Sequence, residues 1–351
     1  MPQPQTIAIL ALLCALLVVT VVGGLLLNRK LNRSHLAQLR RESSASAHMI
    51  HRIEEVRIAQ LSTRASRPQY EFDTWASISP SPYDPRGKYF LWDAVEPISD
   101  TKDAHGVHLI HRAELEGGSH HPVAISQYGL GQFGNYVATG EQAFLEEARA
   151  QADYLAGSID PDSGMFWYDF DFPVRYNEKL STPWGSAMAQ GEAISLLMRF
   201  YALTGDESYL TASRLALLPL TVGVPDGGLR ADLFGHPYYE EYPTRLPTFT
   251  LNGFMFALIG LYDLWAIGGD KTAKDMFEAG IETLVFCLPF YDLDGISLYW
   301  LSHIHGQGVP LHFSSKYHLI HVKQLHVFNQ LHPDKTIDFY LNRWIGYVNK
   351  P

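Results

Sequence analysis

The stretch YYEEYPTR, Tyr238 to Arg245, sets three phenols and two carboxylates in five residues ahead of a proline that halts regular structure. Such side chains can move protons. A phenol serves as acid at its ordinary pKa near ~10 and as base only where nearby cations depress that value. Alone, the octapeptide also reads as an aromatic turn packed on a rim; Tyr299 and Tyr317 downstream supply the companions that a catalytic reading needs. Histidines gather in the same region, at His303, His305, His312, His318, His321 and His326. His303-x-His305 and the His318/His321 helix face have chelating spacings, yet no carboxylate partner lies nearby in LYWLSHIHGQGVPLHFSSKYHLIH. The expectation is therefore no metal, with the histidines giving local charge and hydrogen bonds to an anionic ligand, or serving structure.

Helical hairpins must position these groups, because the chain repeats itself. YVATGEQAFLEEARAQADYL (136–155) aligns with YALTGDESYLTASRLALLPL (201–220) at an offset of 65. Looser copies occupy 262–288 and 328–348. Each has an apolar helix, a tight turn with Gly or His-Pro, an acidic residue near the next helix start, and an amphipathic helix. Such hairpins bury their faces by stacking. The expected fold is mainly α, an α/α toroid (an incomplete barrel of hairpins) over 126–351. An irregular, partly β segment over 69–125 precedes it.

The alignment also disposes of a tempting motif. GLGQFG at 129–134 matches a dinucleotide loop, but Gly129, Gly131 and Gly134 fall opposite Ile194, Leu196 and Arg199, inside a helix. No cofactor is expected.

The 21 uncharged residues 7–27 are long enough to span a bilayer. They predict a single-pass anchor over 1–28, followed by a polar stalk over 29–68. Arg29, Lys30, Arg33, Arg40 and Arg41 follow the span, which by the positive-inside rule places the globular part in the cytoplasm. A glycan-modifying enzyme of secretory type would face the other way, so the side stays open. Beyond residue 41 the chain carries 22 basic against 37 acidic side chains, a net of −15. That surface repels nucleic acid, and an acidic polymer would need local cations to bind. Cys14 lies in the span, leaving Cys287 alone and excluding a disulfide framework in the rest.

The segments SAMAQGEAISLLMRFYALTGD, YYEEYPTRLPTFTLNGFMFALIGLYDL, LYWLSH…KYHLIHVKQL and NRWIGYV, in series from about residue 160, resemble the C-terminal catalytic region of the D-glucuronyl C5-epimerases. HHPVAISQYGL at 120–130 resembles that family's cleft-lining segment. The resemblance implies inversion of C5 in D-glucuronosyl units of a heparosan or heparan-like chain. It implies catalytic roles for Tyr242, Tyr299 and Tyr317, with Glu241 beside the first. It implies substrate contacts for Arg175, Asn252 and His318, with Lys316, His303 and His121 as further candidates, and by family analogy a homodimer. Two positions depart from the pattern. Ser302 stands where the family has an arginine, for which His303, Lys316 or Arg245 are the expected substitutes, and Phe256 stands where it has a tyrosine. The animal enzymes' inserted β-sandwich and its calcium site are not expected.

C5 lies α to a carboxylate, so its proton leaves only if that carboxylate is paired as charge develops, and inversion then needs a base and an acid on opposite ring faces. Tyr299 and Tyr317 are the expected pair, with the histidines, Arg175 and Lys316 lowering their pKa. The rival readings are a uronate polysaccharide lyase, which begins with the same proton abstraction, and a non-catalytic membrane-tethered glycan-binding protein.

Overall fold

A computed structural model gives the structure of His51 and of residues 82–91, 101–111, 118–305 and 309–348. The chain divides into two compact units, Met1–Ile58 and Ala59–Pro351. The anchor over 1–28 and, apart from His51, the stalk over 29–68 lie outside the described residues. All elements from Leu109 onward belong to the second unit.

That unit is mainly helical. Four hairpins succeed one another: α1 (Pro122–Thr139) with α2 (Gln142–Ser158), α3 (Ala187–Thr204) with α4 (Glu207–Leu215), α6 (Leu251–Gly268) with α7 (Lys271–Tyr291), and α8 (Ser315–Leu331) with α9 (Lys335–Val348). The single turn α5 (Leu218–Thr221) comes after α4. In three hairpins the turn is a left-handed glycine, Gly140, Gly205 or Gly269, whose N–H donates to the carbonyl four residues back. Asp206, Asp270 and Asp334 then accept backbone N–H groups at the start of the next helix. These are the positions the repeat alignment marks, and GLGQFG lies inside α1. α1 begins at Pro122, where the His121 ring accepts the Ala124 N–H as its cap.

The first helices pack in series, α1 on α3, α3 on α6 and α6 on α8, and the second helices cover them. Composition explains the two layers. α3 is buried without a break from Ala187 to Phe200, and α6 from Leu251 to Leu261. α6 is apolar enough by length and composition to cross a membrane, yet is a core helix here. The covering helices bury one stripe only, such as Leu145, Ala148, Ala152 and Leu155 of α2. At the α3–α6 crossing the backbones touch: a Cβ on Gly191 would lie 2.4 Å from the Phe256 carbonyl oxygen, and one on Gly260 would lie 2.3 Å from that of Gly191.

A fully buried ion pair ties the two central helices to the upstream chain. Arg199 Nη1 of α3 donates to Asp263 Oδ2 of α6 at 2.9 Å. The Tyr83 hydroxyl donates to both oxygens of Asp263, and Arg199 also donates to the carbonyls of Gly87, Asp84 and Ser195. With every donor of the pair directed at an oxygen, the desolvated charges are compensated.

Because the tight turns all come after the first helices, the long connections gather at those helices' N-termini. They carry short antiparallel pairs: β3 (Phe172–Pro173) with β4 (Lys179–Leu180), and β5 (Arg230–Leu233) with β6 (His236–Tyr239). Upstream, β1 (Leu109–Ile110) pairs with β2 (Ser119–His120), within the segment expected to be irregular and partly β.

Candidate active site

The long connections are knitted to one another through backbone hydrogen bonds: Ala187 N to Glu240 O, Leu251 N to Tyr299 O, Leu301 N to Thr248 O and Tyr299 N to His312 O. These bonds bring residues from distant parts of the chain to one place. The Tyr299 hydroxyl donates to Glu241 Oε1 at 3.2 Å. The Tyr242 hydroxyl lies 3.1 Å from that of Tyr299, and both phenols hydrogen-bond the Glu241 carboxylate. The Tyr317 ring sits 4.2 Å from the Tyr299 ring at 45°. Tyr299 and Glu241 are buried, whereas Tyr242 and Tyr317 are half-buried. The result is a hydroxyl chain with a wet end and a dry end.

Burial sets the protonation of this chain. It pushes the Glu241 carboxyl up to about 7, against the lowering effect of the phenol hydrogen bonds. All three phenols are raised, by burial first and then by the charge of Glu241. This corrects the expectation of depressed phenols: the carboxylate and the dry surroundings outweigh the cations. Tyr299 and Tyr317, the pair expected to act on opposite faces of a sugar, have their rings 4.2 Å apart at 45°.

Space for Glu241 comes from α6. A Cβ on Gly253 would lie 2.3 Å from Glu241 Oε2, an oxygen with no partner among the described residues. Beside it, Asn252 is buried; its backbone carbonyl accepts from Gln324, while its Oδ1 is unpartnered among the described residues.

An aromatic wall closes the other side. Phe172 stacks on Tyr242 at 5.4 Å, Trp184 stacks on Tyr168 at 3.9 Å, and Trp184 Nε1 donates to the Phe170 carbonyl. His121 meets Tyr168 edge-on at 4.9 Å while its Nδ1 caps α1. The turn between β3 and β4 is fastened to the Tyr242 loop, Asn177 Nδ2 donating to Thr244 Oγ1 and to the Leu246 carbonyl. Arg175 on that turn is exposed, with its guanidinium over the Tyr176 ring at 5.3 Å. Its charge adds to burial in lowering the pKa of His312, whose ring packs on Tyr299 at 5.1 Å.

Other expected residues lie elsewhere or lack the expected charge. His318 is fully buried, its Nδ1 against Ser297 and its Nε2 toward the Trp344 carbonyl, so it braces α8 on α9 and presents nothing to a ligand. His303 is 1% exposed with both ring nitrogens unpartnered among the described residues, and burial drives its pKa down to about 4. It is neutral and does not replace the missing arginine, whose place is taken by the buried Ser302. Lys316 is exposed at the start of α8. Among the described residues no group of three or more His, Cys, Asp or Glu is arranged to hold a metal ion.

Some residues at the site carried no mark in the sequence beyond composition. Tyr168 and Phe172 lie in the aromatic run FWYDFDF at 166–172 and Trp184 lies beyond it, with no spacing rule to single them out. Glu192 of α3, fully buried and accepting from Gln127 Nε2 at 3.2 and 3.1 Å, was hidden in an apolar helix; its charge and that of Glu241 both raise Tyr168 further, beyond the effect of burial.

A family model described as D-glucuronyl C5-epimerase C-terminus matches residues 160–346. The chain belongs to the D-glucuronyl C5-epimerase family. Every tyrosine of the hydroxyl chain, Glu241 and the aromatic wall fall within the matched stretch. Among relatives, this epimerase-family chain is 38% identical over 216 residues to a D-glucuronyl C5-epimerase of Caenorhabditis elegans, covering 57% of this chain and 34% of that one. It is 29% identical over 202 residues to an uncharacterised protein of Methanocaldococcus jannaschii, covering 56% and 62%. The chain thus spans about a third of the first relative and under two thirds of the second. Among solved structures, a family 76 glycoside hydrolase from a bovine Bacteroides thetaiotaomicron strain superposes with a TM-score of 0.42 at 14% identity, over 62% of this chain and 45% of that one. A polysaccharide lyase superposes at 0.37 and 13% identity, over 69% and 42%. At these scores neither bears on the architecture.

Proposed function

We propose that the protein is an epimerase that inverts C5 of glucuronosyl units in a heparosan-like polysaccharide, on a scaffold whose hairpins curve into an incomplete α/α toroid. The observation that carries this reading is the hydroxyl chain from half-buried Tyr242 through buried Tyr299 to Glu241, with Tyr317 at its edge. A carboxyl with a pKa of about 7 is matched to accepting a proton at neutral pH.

In the proposed step the C5–H bond breaks and its electron pair delocalises into the uronate carboxylate. The proton passes to the Tyr242 oxygen as the Tyr242 proton moves to Tyr299 and that of Tyr299 moves to Glu241. Tyr317 then gives its proton to C5 from the other ring face, the Tyr317 oxygen recovers a proton from solvent, and Glu241 releases one to solvent, which restores the starting state. Neutral phenols suit this relay, since Tyr242 and Tyr299 each give one proton as they take another, and only Tyr317 passes through the tyrosinate. The N-termini of α1, α3, α6 and α8 converge where the anionic sugar would lie, and Arg175 adds a full positive charge.

The test is incubation of the protein with heparosan in deuterated water, reading C5 by NMR. Exchange without chain shortening supports the epimerase. Unsaturated ends absorbing in the near ultraviolet would instead show a lyase, and no exchange with any uronate polymer would leave only glycan binding.

A further inference from the structure

Beside the loop that follows Tyr242 lies a cavity of about 760 Å³ whose walls come from four segments, one of them the turn at Gly223–Pro225. The turn between β3 and β4 contributes Glu178, the β5–β6 hairpin contributes Arg230 and Asp232, and the loop itself contributes Pro243, Arg245 and Pro247. Both acids are engaged in holding the walls together. Asp232 Oδ1 accepts the Gly235 N–H at 2.8 Å in the hairpin turn, and a Glu178 oxygen accepts the backbone N–H of Arg245. The two arginines are exposed, and among the described residues neither guanidinium has an ion-pair partner. Arg230 and Arg245 balance Glu178 and Asp232 in the lining, so on a surface of net charge −15 beyond residue 41 the groove is formally neutral and presents two guanidiniums outside any ion pair among the described residues.

The groove adjoins the candidate active site through covalent continuity. Tyr242 precedes Pro243 directly, and Asn177, which fastens the β3–β4 turn to the loop, precedes Glu178. We propose that this groove is a second saccharide subsite, in which Arg230 and Arg245 hold the carboxylate or sulfate of a sugar flanking the unit that reacts at Tyr242. The planar guanidinium pairs with either anion through two parallel N–H donors. The proline rings give rigid apolar faces for the sugar's C–H surface, and the volume admits more than one ring. The subsite rests on the reading of the tyrosine site as acting on an acidic polysaccharide, and it explains how an acidic protein retains an acidic polymer.

The experiment uses the full chain carrying Arg230→Gln or Arg245→Gln, with three probes: heparosan, N-sulfated heparosan, and a trisaccharide with one central uronate. Direct binding by calorimetry is read beside C5 exchange. Each substitution is expected to weaken polymer binding and raise the polymer KM about tenfold, the loss of one charge-assisted hydrogen-bonded contact, with kcat retained. Trisaccharide exchange should not change. Weakening on heparosan assigns the carboxylate, and weakening only on the N-sulfated polymer assigns the sulfate. Unchanged affinity for both polymers overturns the subsite, and so does an equal loss on the trisaccharide. If the parent protein shows no C5 exchange, the epimerase reading falls while the calorimetry still decides whether the groove binds the polymer.

Discussion

The Tyr299 hydroxyl donates to Glu241 Oε1 across 3.2 Å, joining residues 58 positions apart, and burial holds that carboxyl at about 7. The acceptor is therefore charged only above neutrality, while the phenol that feeds it stays protonated throughout. This gives the site a direction of proton flow.

Exchange at C5 should rise with pH through about 7 as Glu241 becomes able to accept a proton. Glu241→Gln should remove that rising limb and slow exchange by about 10²–10⁴-fold. A pH series of deuterium incorporation checks both, and a limb that survives in the variant would place the base elsewhere.

Tyr242→Phe, Tyr299→Phe and Tyr317→Phe each delete one hydroxyl and keep the ring. Each should abolish measurable exchange while leaving polymer affinity within about twofold, since the stacked rings remain. Full activity in the Tyr299 variant would break the relay through Tyr299 and leave only the direct hydrogen bond between Tyr242 and Glu241 to carry the proton.

Gly253→Ala tests the pocket that α6 leaves for Glu241. The added methyl would sit 2.3 Å from Oε2, so the carboxyl must move and the Tyr299 contact with it. Exchange should fall by about 10²-fold, with a stability loss of about 1–3 kcal/mol from overpacking. Unchanged kcat would show that Glu241 need not stay where it is.

Asp263→Ala leaves Arg199 buried without its counter-charge and should cost about 3–5 kcal/mol. Tyr83→Phe removes only a hydroxyl donor to the same carboxylate and should cost about 1.5–3 kcal/mol. Denaturant unfolding of the two variants should rank them in that order.

Glu240, next to the proposed acceptor, is also raised to about 7 by burial although it accepts from Thr248 N, Thr248 Oγ1 and Phe249 N. A raised carboxyl binds its proton more tightly in the folded state. Its contribution to stability is full below the ordinary carboxyl value and is lost as pH rises to about 7. Relative to the parent, Glu240→Gln should therefore gain on the order of 2–3 kcal/mol between pH 5 and pH 8. Equal differences at the two pH values would mean that the hydrogen bonds outweigh burial.

The helical hairpins were legible because their signals are local. A left-handed glycine, an acidic cap and a 3.6-residue stripe recur at a fixed offset, as at Gly140 and Gly205. Family resemblance added the tyrosines and Glu241, and the structure brings these together. Signs of pKa shifts were not legible, because they depend on how much water is excluded: Arg175 and the histidines promised depression, and desolvation of Tyr299 reversed it. His303 and His318 failed for the same reason. Histidine in a sequence carries no mark of whether it faces a ligand or lies inside, as these two do. The Arg230–Arg245 groove was invisible because its members lie on elements whose approach is a tertiary fact.

The loop from Tyr83 to Gly87 moves the start of the folding unit upstream of the stretch that betrays kinship. The family model begins to match only at residue 160. Yet the guanidinium at the centre of the matched helices takes its remaining oxygens from Asp84 and Gly87, and its counter-ion takes its phenol from Tyr83. A fragment trimmed to the recognisable stretch would carry that charge into its interior half-solvated by protein and shielded from water. The stretch matched by the family model is thus shorter than the network that compensates its central charge, which reaches back to Tyr83.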